Sequence, residues 1–231
     1  MFLQSFFSRS SNHLSISAEQ GSQFAKQVCN DYNPIHDVES KRFCVPGDLL
    51  FALTLDNYGL SQQMQFDFQG LVPADKALIF PDWNTSELAI ADDREKIYLN
   101  AYREGNVSQE QSMIEQLIRS YVAFSGHSFP YILVPLMEKH RVMINTARPL
   151  VMYQSMSLSL DHLDILSPEV KFLEAKMQVD GKRGNVSLQF SINDGEKAVG
   201  RGEKKLVLSG LREYDQQAMD QLILDYEERK A

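Results

Sequence analysis

The 231-residue sequence predicts an α+β protein made of two similar halves. Three observations lead there. Segments with apolar residues at helical spacing are interleaved with segments in which apolar and polar residues alternate one by one. The two kinds of segment come in the same order twice. Asp92-Asp93, Asp180-Gly181 and Asp194-Gly195 stand between alternating runs, where hairpins turn.

Taken in order, His13 to Ile16 alternates briefly as a strand. Ser17-Ala18-Glu19-Gln20 has the capping-box pattern, a hydroxyl residue with Gln three positions on, so a helix starts there and runs through Phe24, Ala25 and Val28. Asn33-Pro34 ends it, because the residue before proline resists the α region. After Pro46-Gly47, Leu49 to Tyr58 is helical and apolar nearly all round, the mark of a buried helix. Met64–Phe68, Lys76–Phe80, Ser86–Ile90 and Lys96–Tyr102 read as strands, and Gly105-Asn106 closes the series.

The second half repeats the order. Ser108 opens a helix with Met113, Ile114, Leu117, Ile118 and Tyr121 on one face, and Tyr131 to Lys139 is a further apolar helix. Strands follow at Met156–Leu160, Val170–Val179, Asn185–Ile192 and Lys204–Leu208, and Asp215–Lys230 is a polar amphipathic helix. Residues echo as well: FAKQVCNDYNP from Phe24 lies against YVAFSGHSFP from Tyr121, and MQFDF at Met64 against MSLSL at Met156. The expected division is 13–105, 106–211 and a C-terminal helix over 212–231.

Composition narrows the function classes. Apolar residues at 43% and charged residues at 23% exclude disorder as the main state. No run approaches the roughly 18 apolar residues of a membrane span. A net charge of −8 disfavours nucleic acid as a partner. The basic clusters Lys41-Arg42 and Arg201 to Lys205 read as solvated surface. Cys29 and Cys44 make no disulfide framework and have no metal-ligand spacing, so they read as reduced thiols of a cytoplasmic protein without a metal. The apolar start from Met1 to Phe7 lacks a basic flank and is not read as a signal peptide. No serine-hydrolase elbow, phosphate loop or dinucleotide glycine pattern occurs. The methionines Met137, Met143, Met152, Met156 and Met177 read as core packing. His127, His140 and His162 read as structural or surface residues.

The informative segment is Asn30-Asp31-Tyr32-Asn33-Pro34-Ile35-His36. A carboxylate and an imidazole stand five residues apart across a proline-stiffened break between two helices, so both side chains can enter one pocket. Such a pair can hold a water and act as general base and general acid. On spacing alone the segment also reads as Asx-turn chemistry, with its side chains capping backbone groups.

DYNPIH, preceded by a helix carrying FA and followed by VPG and a buried helix, resembles the motif of MaoC-like and (R)-specific enoyl-CoA hydratases, enzymes of hotdog fold. The resemblance is specific over Phe24 to Leu55; as a whole the chain resembles a proteobacterial double-hotdog family. It implies a double hotdog, two helix-wrapped antiparallel sheets forming a pseudo-dimer. It also implies hydration of an enoyl (acyl) thioester in fatty acid metabolism, with Asp31 and His36 as the catalytic pair. Asn33 and Pro34 would shape the loop, and Gly47 and Asp48 would lie where the thioester carbonyl binds, at a helix N-terminus. An acyl-CoA or acyl-carrier thioester would be the partner, no cofactor is implied, and the chain would be a monomeric pseudo-dimer or a homodimer. Asn30 replaces the motif's glycine, and Asp48 puts a carboxylate at the helix start, which either alters the carbonyl site or rests favourably on the helix dipole. In the second half Ile132 stands at the His position, so that half is expected to be catalytically silent. Two alternatives are a non-catalytic acyl-thioester binder or interaction protein, and a hotdog thioesterase.

Overall fold

The computed structural model describes residues 2–10, 13–146 and 150–230; Met1 of the apolar start and Ala231 of the C-terminal helix therefore lie outside the described residues. Short strands β1 (Ser8–Ser10) and β2 (His13–Ser15) precede helix α1 (Ala18–Gln27). Ser17 caps α1 as expected: its hydroxyl accepts from the Gln20 N–H while the Gln20 side chain accepts from the Ser17 N–H. Helix α2 (Gly47–Tyr58) follows, then strands β3 (Leu60–Phe68), β4 (Leu78–Ile79), β5 (Glu87–Ala91) and β6 (Ile97–Ser108). The second half has α3 (Gln111–Gly126), α4 (Leu133–Lys139), β7 (Val142–Met143), β8 (Val151–Leu160), β9 (Pro168–Asp180), β10 (Arg183–Asp194), β11 (Lys197–Ser209), β12 (Arg212–Glu213) and α5 (Gln216–Glu228).

Among the described residues ten strands form one sheet in the order β1-β2-β4-β5-β6-β3-β8-β11-β10-β9, and every adjacent pair is antiparallel. The halves meet edge to edge at β3 and β8, where Met64 lies opposite Leu158 and Phe66 opposite Met156. Those are the segments MQFDF and MSLSL that echo each other in sequence. Their register is the one a local two-fold axis through Gln65 and Ser157 gives, and the join covers the inner edge of each half. This is the α+β double-hotdog architecture.

Helix α2 explains its own composition. Leu49, Leu50, Phe51, Ala52, Leu53 and Leu55 are all essentially inaccessible. The helix is covered by the sheet on one side and by α3 on another, so no face needs polar residues. The anticipated face of α3, Met113 to Tyr121, is buried too. Two apolar cores result, a larger one around α2 and α3 and a smaller one in which Leu133, Leu136 and Met137 of α4 meet Leu188, Leu206 and Leu208. Met137, Met143, Met156 and Met177 are core residues; Met152 is half-buried.

Three expectations change. Gly105-Asn106 does not end the strand: Gly105 takes φ 84° at a bulge where the register to β3 shifts between Gln63–Glu104 and Ser61–Val107, and the pairing then resumes to Ser108. The following helix starts at Gln111 rather than Ser108, with Glu110 accepting from the Ser112 N–H. The basic cluster at Arg201–Lys205 is not all solvated surface. Lys204 is 5% exposed, since β11 alternates and Lys204 shares the inward face with Leu206 and Leu208.

Candidate functional site

The segment that carries the motif is shaped by two left-handed or capped turns. After α1, Asn30 takes φ 55°, which turns the chain back and explains why glycine is at home at this point of the motif; Asn tolerates the conformation better than other non-glycine residues. The Asp31 N–H then donates to the Ala25 carbonyl, 2.8 Å. Asp31 Oδ1 accepts from the Asn33 N–H at 2.9 Å, and Asn33 Oδ1 accepts from the Ile35 N–H at 3.1 Å. The Asx-turn reading is thus correct as far as it goes, and Pro34–His36 forms a single 3₁₀ turn. These turns use only one oxygen of Asp31.

The other oxygen faces His36. Asp31 Oδ2 is 3.8 Å from His36 Nε2. The opposite ring nitrogen, Nδ1, lies 2.7 Å from the Cys44 carbonyl oxygen. A carbonyl only accepts, so Nδ1 carries the proton and a neutral ring presents a lone pair at Nε2. The imidazole is mostly buried and the carboxylate about a quarter exposed, at 12% and 28%.

Asp31, Asn33, Pro34, His36, Gly47 and Asp48 all line one cavity of about 360 Å³. Its walls are largely apolar, among them Leu50, Phe68, Phe129, Leu133, Ile144 and Leu206. That size and lining suit a small-molecule site. Both halves build it: α2 and the motif loop from the first, α3, α4, β8 and β11 from the second. Gly47 is required by close approach, since a Cβ there would come within 2.9 Å of Tyr153 Cδ1 and 3.2 Å of Phe68 Cε1. Helix α5 braces the rim. The Tyr226 hydroxyl accepts from the Tyr32 N–H at 3.3 Å and donates to the Asn30 carbonyl at 3.4 Å. Arg229 and Lys26 both pair with Asp37, at 2.6 and 2.9 Å.

Asp48 is not a solvated dipole partner. It is 8% exposed; its Oδ2 accepts from the Ser125 hydroxyl and lies 3.9 Å from Lys204 Nζ, which in turn donates to Ser125 Oγ. Burial raises its pKa, while Lys204 and Ser125 pull it down. The Lys204 ammonium also sits 4.2 Å from the Tyr153 ring centroid, and the hydroxyls of Tyr153 and Tyr121 bond each other. Burial pushes both phenols well up. The reading of Arg201 to Lys205 as solvated surface missed this cluster. The signal that would have found Lys204 is the strand alternation of Lys204, Leu206 and Leu208.

His127 is exposed and stacks on Tyr131, with centroids 4.1 Å apart, outside the cavity lining. Cys29 and Cys44 are free and buried, and burial pushes the Cys44 thiol up to about 11. Among the described residues no group of three or more His, Cys, Asp or Glu is placed to hold a metal ion, and no helix is long and apolar enough to cross a membrane.

Fold and cavity together define a hotdog-class protein with one polar-lined apolar pocket shared by two halves. The chain belongs to the family described as "Protein of unknown function (DUF3581)", whose match spans residues 1–217. No curated protein matches it. Among solved structures it is similar to a hot dog fold protein of unknown function from Alicyclobacillus acidocaldarius, at 10% identity and TM-score 0.48 over 90% of this chain and 98% of that one. It is similar to the tesB protein of Mycobacterium avium subspecies paratuberculosis, at 8% and 0.47 over 89% and 97%. A MaoC-like dehydratase is similar at 9% and 0.44 over 87% and 97%.

Proposed function

We propose that the protein is a hydratase or dehydratase of enoyl thioesters such as enoyl-CoA, with Asp31 and His36 activating one water. The observation that carries this is the pair of acceptors in the cavity. His36 Nε2 and Asp31 Oδ2, 3.8 Å apart, are too far for a direct hydrogen bond and well placed to accept the two protons of one bound water. Cys44 fixes the tautomer that makes this possible, as the partner of the other ring nitrogen does in catalytic histidines generally.

The chemistry balances on these groups. The water oxygen bonds to the β-carbon of a trans-2-enoyl thioester as one water proton passes to the pair. Negative charge moves to the thioester oxygen, which the first N–H groups of α2, at Gly47 and Asp48, are oriented to receive, because the first turn of a helix has no internal partners for them. The pair returns a proton to the α-carbon, and the 3-hydroxyacyl thioester forms. Run backwards, the same steps dehydrate it.

The test is hydration of trans-2-enoyl-CoA from short to medium chain by the wild type, His36→Ala and Asp31→Asn. Each substitution is expected to lower turnover roughly 100-fold or more. Equal rates in wild type and His36→Ala contradict the proposal. Free thiol release from saturated acyl-CoA, lost in the same variants, would instead make the pair a hydrolytic site.

A further inference from the structure

Lys204 is a lysine buried in the wall of the cavity, and it comes from the half that lacks the motif. It belongs to a cluster with three chain origins: Asp48 at the first turn of α2, Ser125 near the end of α3, and Lys204 on β11. The partners are 77 and 79 residues apart along the chain. The position of Asp48 makes the cluster consequential. An ionised carboxylate one residue beyond Gly47 opposes any negative charge arriving at that helix N-terminus, and in a low-dielectric wall the opposition is strong. Its second oxygen, Oδ1, is buried without a hydrogen-bond partner among the described residues, so the carboxylate is held for its charge pair rather than for full hydrogen bonding.

We propose that Lys204 is a positioning residue of the thioester site: by neutralising Asp48 it lets the N-terminus of α2 accept the thioester carbonyl oxygen, partly negative on binding and more so as water adds. This rests on the hydratase reading and adds that the pocket's polar end needs both halves. It also explains a carboxylate at a place where the charge of the reaction disfavours one.

The groups facing Asp48 define what a pH titration reads. Lys204 and Ser125 meet it directly. Asp31 and His36 act on it from the motif loop, and Cys29, Tyr121 and Tyr153 share its field from the turn after α1, from α3 and from β8. Burial raises the Asp48 pKa and Lys204 is the main opposing influence. Without Lys204 burial acts on Asp48 with no opposing ammonium, so its pKa rises further, and the carboxylate that forms as pH rises has no countercharge. A merely structural lysine would not create that dependence.

The experiment measures binding of hexanoyl-CoA and turnover of trans-2-hexenoyl-CoA between about pH 6 and 9 in the wild type, Lys204→Met, Lys204→Arg, Asp48→Asn/Lys204→Met and His36→Ala. Lys204→Met is expected to lose affinity relative to wild type progressively as pH rises through that range, by about tenfold or more at its upper end, whereas Lys204→Arg and the neutral double variant follow the wild type. A Lys204→Met profile parallel to wild type, or a double variant as impaired as the single one, overturns the proposal. Should Lys204→Met fail to fold, the double variant decides: wild-type binding supports the proposal and a tenfold loss overturns it. His36→Ala separates the two readings, since it is expected to abolish turnover, whereas the Lys204 variants are judged on binding against a wild type that keeps His36. If it turns over like wild type, the hydratase reading fails while the binding comparison still judges Lys204. A wild type that binds no acyl-CoA overturns both.

Discussion

Asn30 shows what one residue contributes to the site. Its left-handed backbone, φ 55°, reverses the chain between α1 and Asp31, and only then can Asp31 turn one oxygen to the backbone and the other to His36. Glycine should serve equally well there, whereas a β-branched residue should not. Asn30→Val is expected to cost about 1–2 kcal/mol, and Asn30→Gly to change stability little. Thermal melts check it: each kcal/mol should lower Tm by about 2–4 °C in a chain of this size, and an unshifted Asn30→Val melt contradicts the assignment. The juxtaposition of Asp31 and His36 was legible in DYNPIH because turn and pair are local. Lys204 was hidden, since its neighbours Arg201 and Lys205 make it look like part of a charged surface run, and only the alternation of a strand separates it from them.

At the scale of elements, boundaries were legible wherever local chemistry sets them. The capping box at Ser17, the glycine turns and the all-round apolar α2 are readable because each depends on residues a few positions apart. Gly105 misled for a physical reason: a glycine inside a strand marks either an end or a bend, and the paired β3 decides in favour of the bend. Contacts between elements were not legible. The end of α1 and the last turn of α3 touch at Gly126, where a Cβ would drive into the Cys29 carbonyl oxygen, a backbone atom with no rotamer to escape by. Gly126→Ala is expected to destabilise by about 1–3 kcal/mol and to lower turnover, since Cys29 leads straight into the motif. An unchanged melt and rate would show that α1 and α3 can part without consequence.

For the whole molecule, the decisive feature is the join. The pairing of β3 with β8 and the seating of α3 between α2 and β9 make the larger core common to both halves, while the smaller core is drawn from the second half alone and abuts it. We therefore expect the two halves of the 13–211 region to unfold as one unit. Trp83, the single tryptophan, reports on the first half, while far-ultraviolet circular dichroism reports on both. Their denaturant transitions should coincide, and separated midpoints would show that the halves are autonomous. The same join explains why the cavity draws walls from both halves and why Lys204 of the second half lies beside Asp48 of the first. In the function we propose, this shared cavity adds water to an enoyl thioester. The most direct measurement is the mass of the acyl-CoA after incubation of trans-2-enoyl-CoA with the wild type and with His36→Ala. The gain of one water by intact acyl-CoA, abolished in His36→Ala, is the result expected. Unchanged enoyl-CoA, or free CoA thiol in place of a hydrated product, would contradict it.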